Sequence, residues 1–281
     1  LESDTAYSIS VLLPVIFYSL LFVVLFGNTP VTDVVGFSDT ALYFLKFFWL
    51  AGFLVATSNM IGLVFLGNPN PDNDRALRTF YLNGWQAKDL LVVVYVSRGD
   101  NAKALERSVT QTAKLLDELS VNYRIDIVTD LPVSEQISCN GKRTKYHLVP
   151  TGYTTINGAK WKARALHYVV EQHAEDDFVY KAENTWILHL DEESVLTESC
   201  VAGVAEFIAD PENQDAVGQG EIKYNAHNYG DNLLITWADS IRSGDDLGRF
   251  RFQYTLFNQP FFGMHGSYIL APLAIEQRFG F

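Results

Sequence analysis

Leu90–Asn101 reads LLVVVYVSRGDN, and this stretch decides the fold class. LLVVVYVS is an unbroken apolar run rich in valine. A strand reads that way when both of its faces are covered, because neither face can then carry polar residues. Arg98-Gly99-Asp100-Asn101 supplies turn residues. Beyond it Leu105, Val109, Thr112, Leu116 and Leu119 recur at 4-3-4-3 spacing, the signature of an amphipathic helix. Tyr123–Thr129 (YRIDIVT) is a second strand, stopped by Asp130-Leu131-Pro132. Working outward, the pattern predicts a short strand over Tyr146–Pro150, a helix over Lys160–Gln172 and a strand over Thr185–Leu190. A helix over Cys200–Ile208, a strand over Ala216–Lys223 and a helix over Asp231–Ser243 follow. Strands alternating with helices imply an α/β fold with a mostly parallel sheet covered on both faces. Such sheets bind ligands beyond the carboxyl ends of their strands, where the turns at Asp100, Asp130 and Asp191 would collect.

Toward the N-terminus the chain changes character. No residue from Thr5 to Thr32 carries a charge, and neither does any from Phe47 to Pro71. Each window exceeds the roughly 20 apolar residues needed to cross a hydrocarbon core. The reading is a two-helix transmembrane hairpin over residues 1–67, with spans at about 6–27 and 44–67. A cleaved secretory signal fits less well, since the first window has no basic flank and no small-residue cleavage pattern. The intervening loop carries Asp33 and Asp39 without Lys or Arg, whereas Arg75, Arg78 and Lys88 follow the second span. Positive residues stay on the cytoplasmic side, so residues 68–281 are expected in the cytoplasm as the α/β domain of an integral membrane protein.

Composition narrows the function classes. The 281 residues are 48% hydrophobic and 19% charged, which suits a packed fold and not a disordered or fibrous chain. Lys plus Arg number 21 against 33 Asp plus Glu, a net charge of −12 that disfavours nucleic-acid binding. Cys139 and Cys200 make no disulfide framework and fit a reducing compartment.

The sharpest chemical signal is Trp186–Glu193, WILHLDEE. An apolar strand delivers Asp191 and Glu193 two positions apart, and in an extended chain such residues point the same way. Two carboxylates so placed suit Mg²⁺ or Mn²⁺, which complete their shells with phosphate oxygens and water. The same residues also suit the acidic start of the following helix, and spacing leaves both readings open. Other site classes lack their motifs: there is no phosphate-binding G-x-x-x-x-G-K-[ST] loop, no G-x-S-x-G elbow and no H-E-x-x-H. His189, inside a strand, reads as a core histidine. Asp245 and Asp246 read as a solvated helix-end pair, and Arg242, Arg249 and Arg251 as surface residues.

Five stretches together resemble a known family: HLDEESVLTES (His189–Ser199), VPTGYTTINGAKWKARALHY (Val149–Tyr168), GQGEIKYNAHN (Gly218–Asn228), ADSIRSGDDLGRFRFQY (Ala238–Tyr254) and GMHGSY (Gly263–Tyr268). The chain from about Leu90 onward resembles the membrane-bound family 2 glycosyltransferases and, within them, the egghead-type β-1,4-mannosyltransferases. The resemblance implies a GT-A fold, the Rossmann-like mixed sheet of nucleotide-diphospho-sugar transferases. It implies that Ser97, Arg98, Gly99, Asp100 and Asp130 hold the base and ribose of a nucleotide-sugar donor. Lys162 would lie near the donor, Asp191 and Glu193 would bind Mn²⁺ or Mg²⁺ on its diphosphate, and Gly266, Ser267 and Tyr268 would lie on the acceptor side. The family's general base follows the Gly-Ser-Tyr segment. No base is assigned here; it is expected beyond Phe281, with the domain continuing past that point. The implied reaction is inverting, metal-dependent transfer of mannose from GDP-mannose to a glycolipid or glycan acceptor at the bilayer. A processive polysaccharide synthase using a UDP-sugar and a non-catalytic sugar-nucleotide binder are the alternatives.

Overall fold

The computed structural model describes residues 16, 19, 20, 52, 55–66, 73–85, 89–133, 143–176, 179–222 and 233–280. These fall into two compact units. One is Asp72–Gly220 with His265–Phe281; the other is Leu1–Pro71 with Glu221–Met264.

The first unit is built on one six-stranded sheet. Its elements are α1 (Asn73–Asn83), β1 (Leu90–Ser97), α2 (Ala102–Glu118), β2 (Tyr123–Thr129), β3 (Thr144–Leu148), α3 (Trp161–Glu175), β4 (Thr185–Asp191), α4 (Glu198–Ala209) and β5 (Gly218–Gln219). After the excursion of the chain into the other unit, which holds α5 (Leu233–Phe257), come β6 (Ile269–Pro272) and α6 (Leu273–Phe279). Strand order is β3-β2-β1-β4-β6-β5. β1 runs parallel to β2 and to β4, and β3 parallel to β2. β6 is antiparallel to both β4 and β5. The chain thus steps outward from β1 to β3, then returns to lay β4 on the other side of β1. That reversal opens a crevice between β1 and β4 at their carboxyl ends, the place where open α/β sheets bind ligands.

The apolar run does what its composition requires. Leu91 through Tyr95 have no exposed surface. Val92, Val94 and Val96 pack with Val128 of β2, Val169 of α3 and Leu273 of α6. On the helix that follows β1, Leu105, Val109, Thr112 and Leu116 are buried, as their spacing predicts. Burying each such side chain contributes about 1.5–3 kcal/mol. Asn101 caps this helix by accepting the Ala104 N–H at 3.3 Å.

Several expectations need correction. The third strand is Thr144–Leu148, two residues earlier than its apolar pattern suggests. Among the described residues, the strand expected over Ala216–Lys223 pairs at Gly218–Gln219, where β6 offers Leu270 and Ile269. The sheet is parallel over four strands and antiparallel at the β6–β5 edge, and β6 and α6 were not anticipated. The helix expected over Asp231–Ser243 runs over Leu233–Phe257. Asp245 and Asp246 therefore lie in mid-helix: Asp245 accepts from Asn59, and Asp246, buried, bonds Arg249 at 2.5 Å. Arg251 is buried as well. Cys139 and most of the two expected spans lie outside the described residues. Residues 55–64 are helical, and no described helix is long and apolar enough to cross a membrane.

Candidate functional site

The carboxyl ends of β2, β1 and β4 stand side by side. Ser97, last in β1, pairs in register with Thr129, and Val96 pairs with Asp191. With strands about 4.8 Å apart, the ends of β2 and β4 lie about 10 Å from each other. Four short segments of chain converge on this line.

The β1 end is a closed turn. The Gly99 N–H donates to Ser97 Oγ at 2.8 Å, and Ser97 Oγ–H in turn donates to Glu192. Gly99 has φ +96, and a Cβ there would sit 2.9 Å from both the Cβ and the carbonyl oxygen of Leu131. Only glycine lets this loop approach the β2 end, where the Leu131 N–H donates to the Arg98 carbonyl at 3.1 Å. Arg98 and Asp100 pair with each other at 3.3 Å on the outer, exposed side.

Helix α3 supplies two cations. Lys162 Nζ donates to Asp191 Oδ1 and also to the Gly266 carbonyl. Arg164 pairs with Asp130. Trp161, which opens α3, holds φ +53 and is 82% exposed. A bulky side chain in that backbone region costs on the order of 1–3 kcal/mol, and such strain clusters at functional sites.

The β4 end carries the acids. Asp191 is half-buried; its own N–H donates to Ser267 Oγ at 3.0 Å. The Ser194 N–H bonds the Asp191 carbonyl at 3.0 Å, so the chain turns directly after β4. Strand alternation therefore does not relate Asp191 to Glu193, which is exposed. Glu192, passed over in the sequence, is the acid that meets Ser97. Tyr95 braces this turn from below: its buried hydroxyl donates to the Ser194 carbonyl at 3.1 Å.

The Gly266-Ser267-Tyr268 segment is drawn under Asp191. Ser267 is fully buried, and Tyr268 adopts φ +60 while its N–H bonds the His189 carbonyl at 2.7 Å. The Tyr268 hydroxyl donates to the Val195 carbonyl at 3.0 Å. Gln219 ties the same segment down by donating to the Ser267 carbonyl at 3.0 Å. Ser267 and Tyr268 thus position Asp191, while Gly266 alone of the three is exposed. Burial pushes the Cys200 thiol up to about 12, so it is no nucleophile at neutral pH. His189 is a core histidine, as expected, and donates to or accepts from buried Glu276.

Sequence reasoning found Ser97, Gly99, Asp130, Lys162 and Asp191, which the structure brings to one line. It missed Glu192 and Arg164. The signal for Arg164 was its spacing from Lys162 in KARAL, whose meaning depends on where the helix docks. The carboxylates of this line, Asp191 and Glu192 above all, suit a hard divalent cation that also takes phosphate oxygens. Among the described residues no three such side chains form a ready-made metal site.

Residues 186–281 match the family model described as Glycosyl transferase family group 2. The chain is similar to Beta-1,4-mannosyltransferase egh of Drosophila melanogaster, 32% identical over 253 residues that cover 90% of this chain and 52% of that protein. It is also similar to Beta-1,4-mannosyltransferase bre-3 of Caenorhabditis elegans, 36% identical over 183 residues, 65% of this chain and 38% of that one. The chain therefore spans about half, or less, of the length of the curated relatives it matches. Among solved structures, galactosyltransferase LgtC in complex with donor and acceptor sugar analogs aligns with a TM-score of 0.37 and 10% identity, over 66% of this chain and 59% of that one.

Proposed function

We propose, on the premise that residues 186–281 belong to the family 2 glycosyltransferases, that this chain transfers mannose from GDP-mannose to a glycolipid or glycan acceptor. The observation that carries the reading is the convergence of Lys162, Asp191 and Ser97 on the β1–β4 crevice, beside the Arg164–Asp130 pair. A sheet of this topology offers its ligand that crevice, and the relatives named above are mannosyltransferases.

The chemistry asks for few groups. The bond from the sugar C1 to the diphosphate breaks, a bond from C1 to an acceptor oxygen forms, and the acceptor proton passes to a general base, to which we assign no residue. Negative charge builds on the departing diphosphate. Lys162, held between Asp191 and the Gly266 carbonyl, is the ammonium placed to meet it. Asp191 would hold Mn²⁺ or Mg²⁺, with Glu192 or Glu193 as its neighbour. When bound, such an ion supplies charge neutralisation to the leaving group. Ser267 fixes the Asp191 backbone, so the carboxylate keeps its aim without moving as charge develops. We read the protein as an integral membrane protein with this unit in the cytoplasm, on the two charge-free windows and the basic residues after them.

Calorimetric titration of the detergent-solubilised chain with GDP, GDP-mannose, UDP and UDP-glucose, with and without Mn²⁺, tests the reading. Mn²⁺-dependent binding of GDP and GDP-mannose is expected. Binding of UDP-glucose in preference moves the assignment to a UDP-sugar enzyme, and metal-dependent binding without turnover on any acceptor moves it to a non-catalytic binder.

A further inference from the structure

The loop between β3 and α3 reads PTGYTTINGAK over Pro150–Lys160 and carries no charge before Lys160. Its tip is apolar and bare: Ile156 keeps 96% of its surface exposed. Trp161 follows the loop as the first residue of α3, nearly as exposed and with φ +53. Leu148, which ends β3 in register with Thr129, and Leu131, just past β2, are exposed at the same carboxyl-end rim of the sheet. Single exposed apolar side chains are ordinary, but several along one rim mark a surface that meets something apolar.

The loop is braced in this shape. Thr155, buried beside the tip, accepts the Gly158 N–H on its carbonyl at 3.0 Å and the Ala159 N–H on its hydroxyl at 2.6 Å. Gly158 supplies the φ of +66 that this turn requires. The Tyr153 N–H bonds the Pro150 carbonyl at 2.9 Å, and the Tyr153 hydroxyl donates to Glu171 of α3 at 2.8 Å. Ile156 cannot fold back toward the core without breaking these bonds. Trp161 is displayed at a backbone cost that no burial offsets.

We propose, resting on the membrane reading above, that this loop is a bilayer contact: Ile156 enters the apolar edge, Trp161 lies at headgroup level and Lys160 reaches the lipid phosphates. An aliphatic tip followed by a lysine and a tryptophan has the composition of a membrane interface, where the indole and the ammonium each keep their polar end in the headgroups. Lys160 is exposed, and the loop holds no acid to repel a phosphate. Its bonds to Thr155 satisfy backbone N–H groups that lipid tails could not. The two charge-free windows argue for lipid as the occupant, because they would tether the same chain to a bilayer. The loop leads directly into Lys162 and Arg164, so the contact would set the crevice at the lipid surface, where a glycolipid presents its sugar.

The test places a fluorophore on single cysteines in the full chain, in a Cys139→Ser, Cys200→Ala background, reconstituted into phosphatidylcholine vesicles that contain a shallow doxyl-labelled phosphatidylcholine. Ile156→Cys probes the loop, Lys114→Cys on the exposed side of α2 is the aqueous control, and Ile16→Cys lies in the first charge-free window. The doxyl lipid should quench the Ile156 probe by about half and the Lys114 probe by about a tenth or less, with Trp161→Cys following Ile156. An Ile156 probe quenched no more than the Lys114 probe overturns the inference. The Ile16 probe then separates the two readings: if it is quenched the membrane reading stands, and if it is not, both fall. An Ile156 probe shielded from aqueous iodide yet untouched by the doxyl lipid also overturns the inference and assigns the loop to a protein partner or a second copy. The unlabelled chain gives the same answer independently: brominated phosphatidylcholine should quench more tryptophan emission in the wild type than in Trp161→Phe, and equal quenching places residue 161 in water.

Discussion

Asp126 sits in the middle of β2 and Asp130 just past its end, and the two carboxylates meet opposite surroundings. Asp126 has no exposed surface. His173 Nε2 lies 2.6 Å from it, His147 Nε2 3.6 Å, and the Tyr180 hydroxyl donates at 3.1 Å. Burial by itself would push this carboxyl up, but the two imidazoles outweigh burial and hold it well below the usual carboxylate range. Asp130 has one cation and a quarter of its side chain in solvent. A mid-strand acid is enclosed by the helix above and must be fully satisfied for the fold to exist. A strand-end acid is only partly enclosed and retains lone pairs for a ligand. The same distinction separates His189, closed in mid-strand against Glu276, from Asp191 two residues on. Position along the strand, more than residue type, decides whether a charged side chain serves the scaffold or the site.

The comparison can be broken most forcefully at Asp126. Asp126→Ala should cost about 3–5 kcal/mol, because the buried histidines and Tyr180 lose their acceptor; the denaturant midpoint measures it. A loss below about 1 kcal/mol would place Asp126 with the site acids instead. The same carboxyl makes an acid prediction. Its folded value is depressed, so its contribution is complete above the unfolded value near pH 4 and fades as pH falls below that. Asp126→Asn should therefore flatten the acid limb of the stability profile relative to wild type.

At the strand end the outcome should invert. Asp191→Ala should leave the thermal midpoint nearly unchanged and weaken Mn²⁺-dependent nucleotide binding by about 10²-fold, since the variant removes the charge that would hold the ion. Normal metal-dependent binding by that variant would withdraw Asp191 from the site. Gly99→Ala probes the seam between the regions and should act on both readouts more mildly. The new Cβ collides with Leu131 and the backbone is left-handed, so stability should fall by about 1–3 kcal/mol and nucleotide affinity should fall with it. Affinity that stays intact while stability falls would make the turn pure scaffold.

Much of this was legible in one dimension. Three of the four parallel strands announce themselves because a strand buried on both faces is largely apolar, and LLVVVYVS, YRIDIVT and TWILHL leave little choice; β3, TKYHL, is mostly half-exposed and gives a weaker signal. The β6–β5 edge does not. Ile269–Pro272 is four residues long and its partner two, too short for periodicity to register. The long α5 reads as shorter in the sequence because its charged run, with Asp245, Asp246, Arg249 and Arg251, looks like a solvated end, whereas Asp245 is met by Asn59 and Asp246 by Arg249, and Arg251 is buried. The acids of the site were legible as acids at strand ends. Their partners were not, because Lys162 and Arg164 are two apart on a helix and nothing local says that both reach the sheet.

The sequence by itself determined the parallel core and the acidic strand ends, since each is carried by runs or motifs that are local in the chain. Tertiary structure decided which carboxylates remain available. It buried Ser267 and Tyr268 beneath Asp191, turned the chain so that Glu192 and not Glu193 meets Ser97, and set one helix across two strand ends so that Lys162 covers Asp191 and Arg164 covers Asp130. The physical reason is distance along the chain. A strand is specified by the burial of its own neighbours, but an ion pair between residues 29 or 34 positions apart exists only once the sheet has fixed where the helix lies.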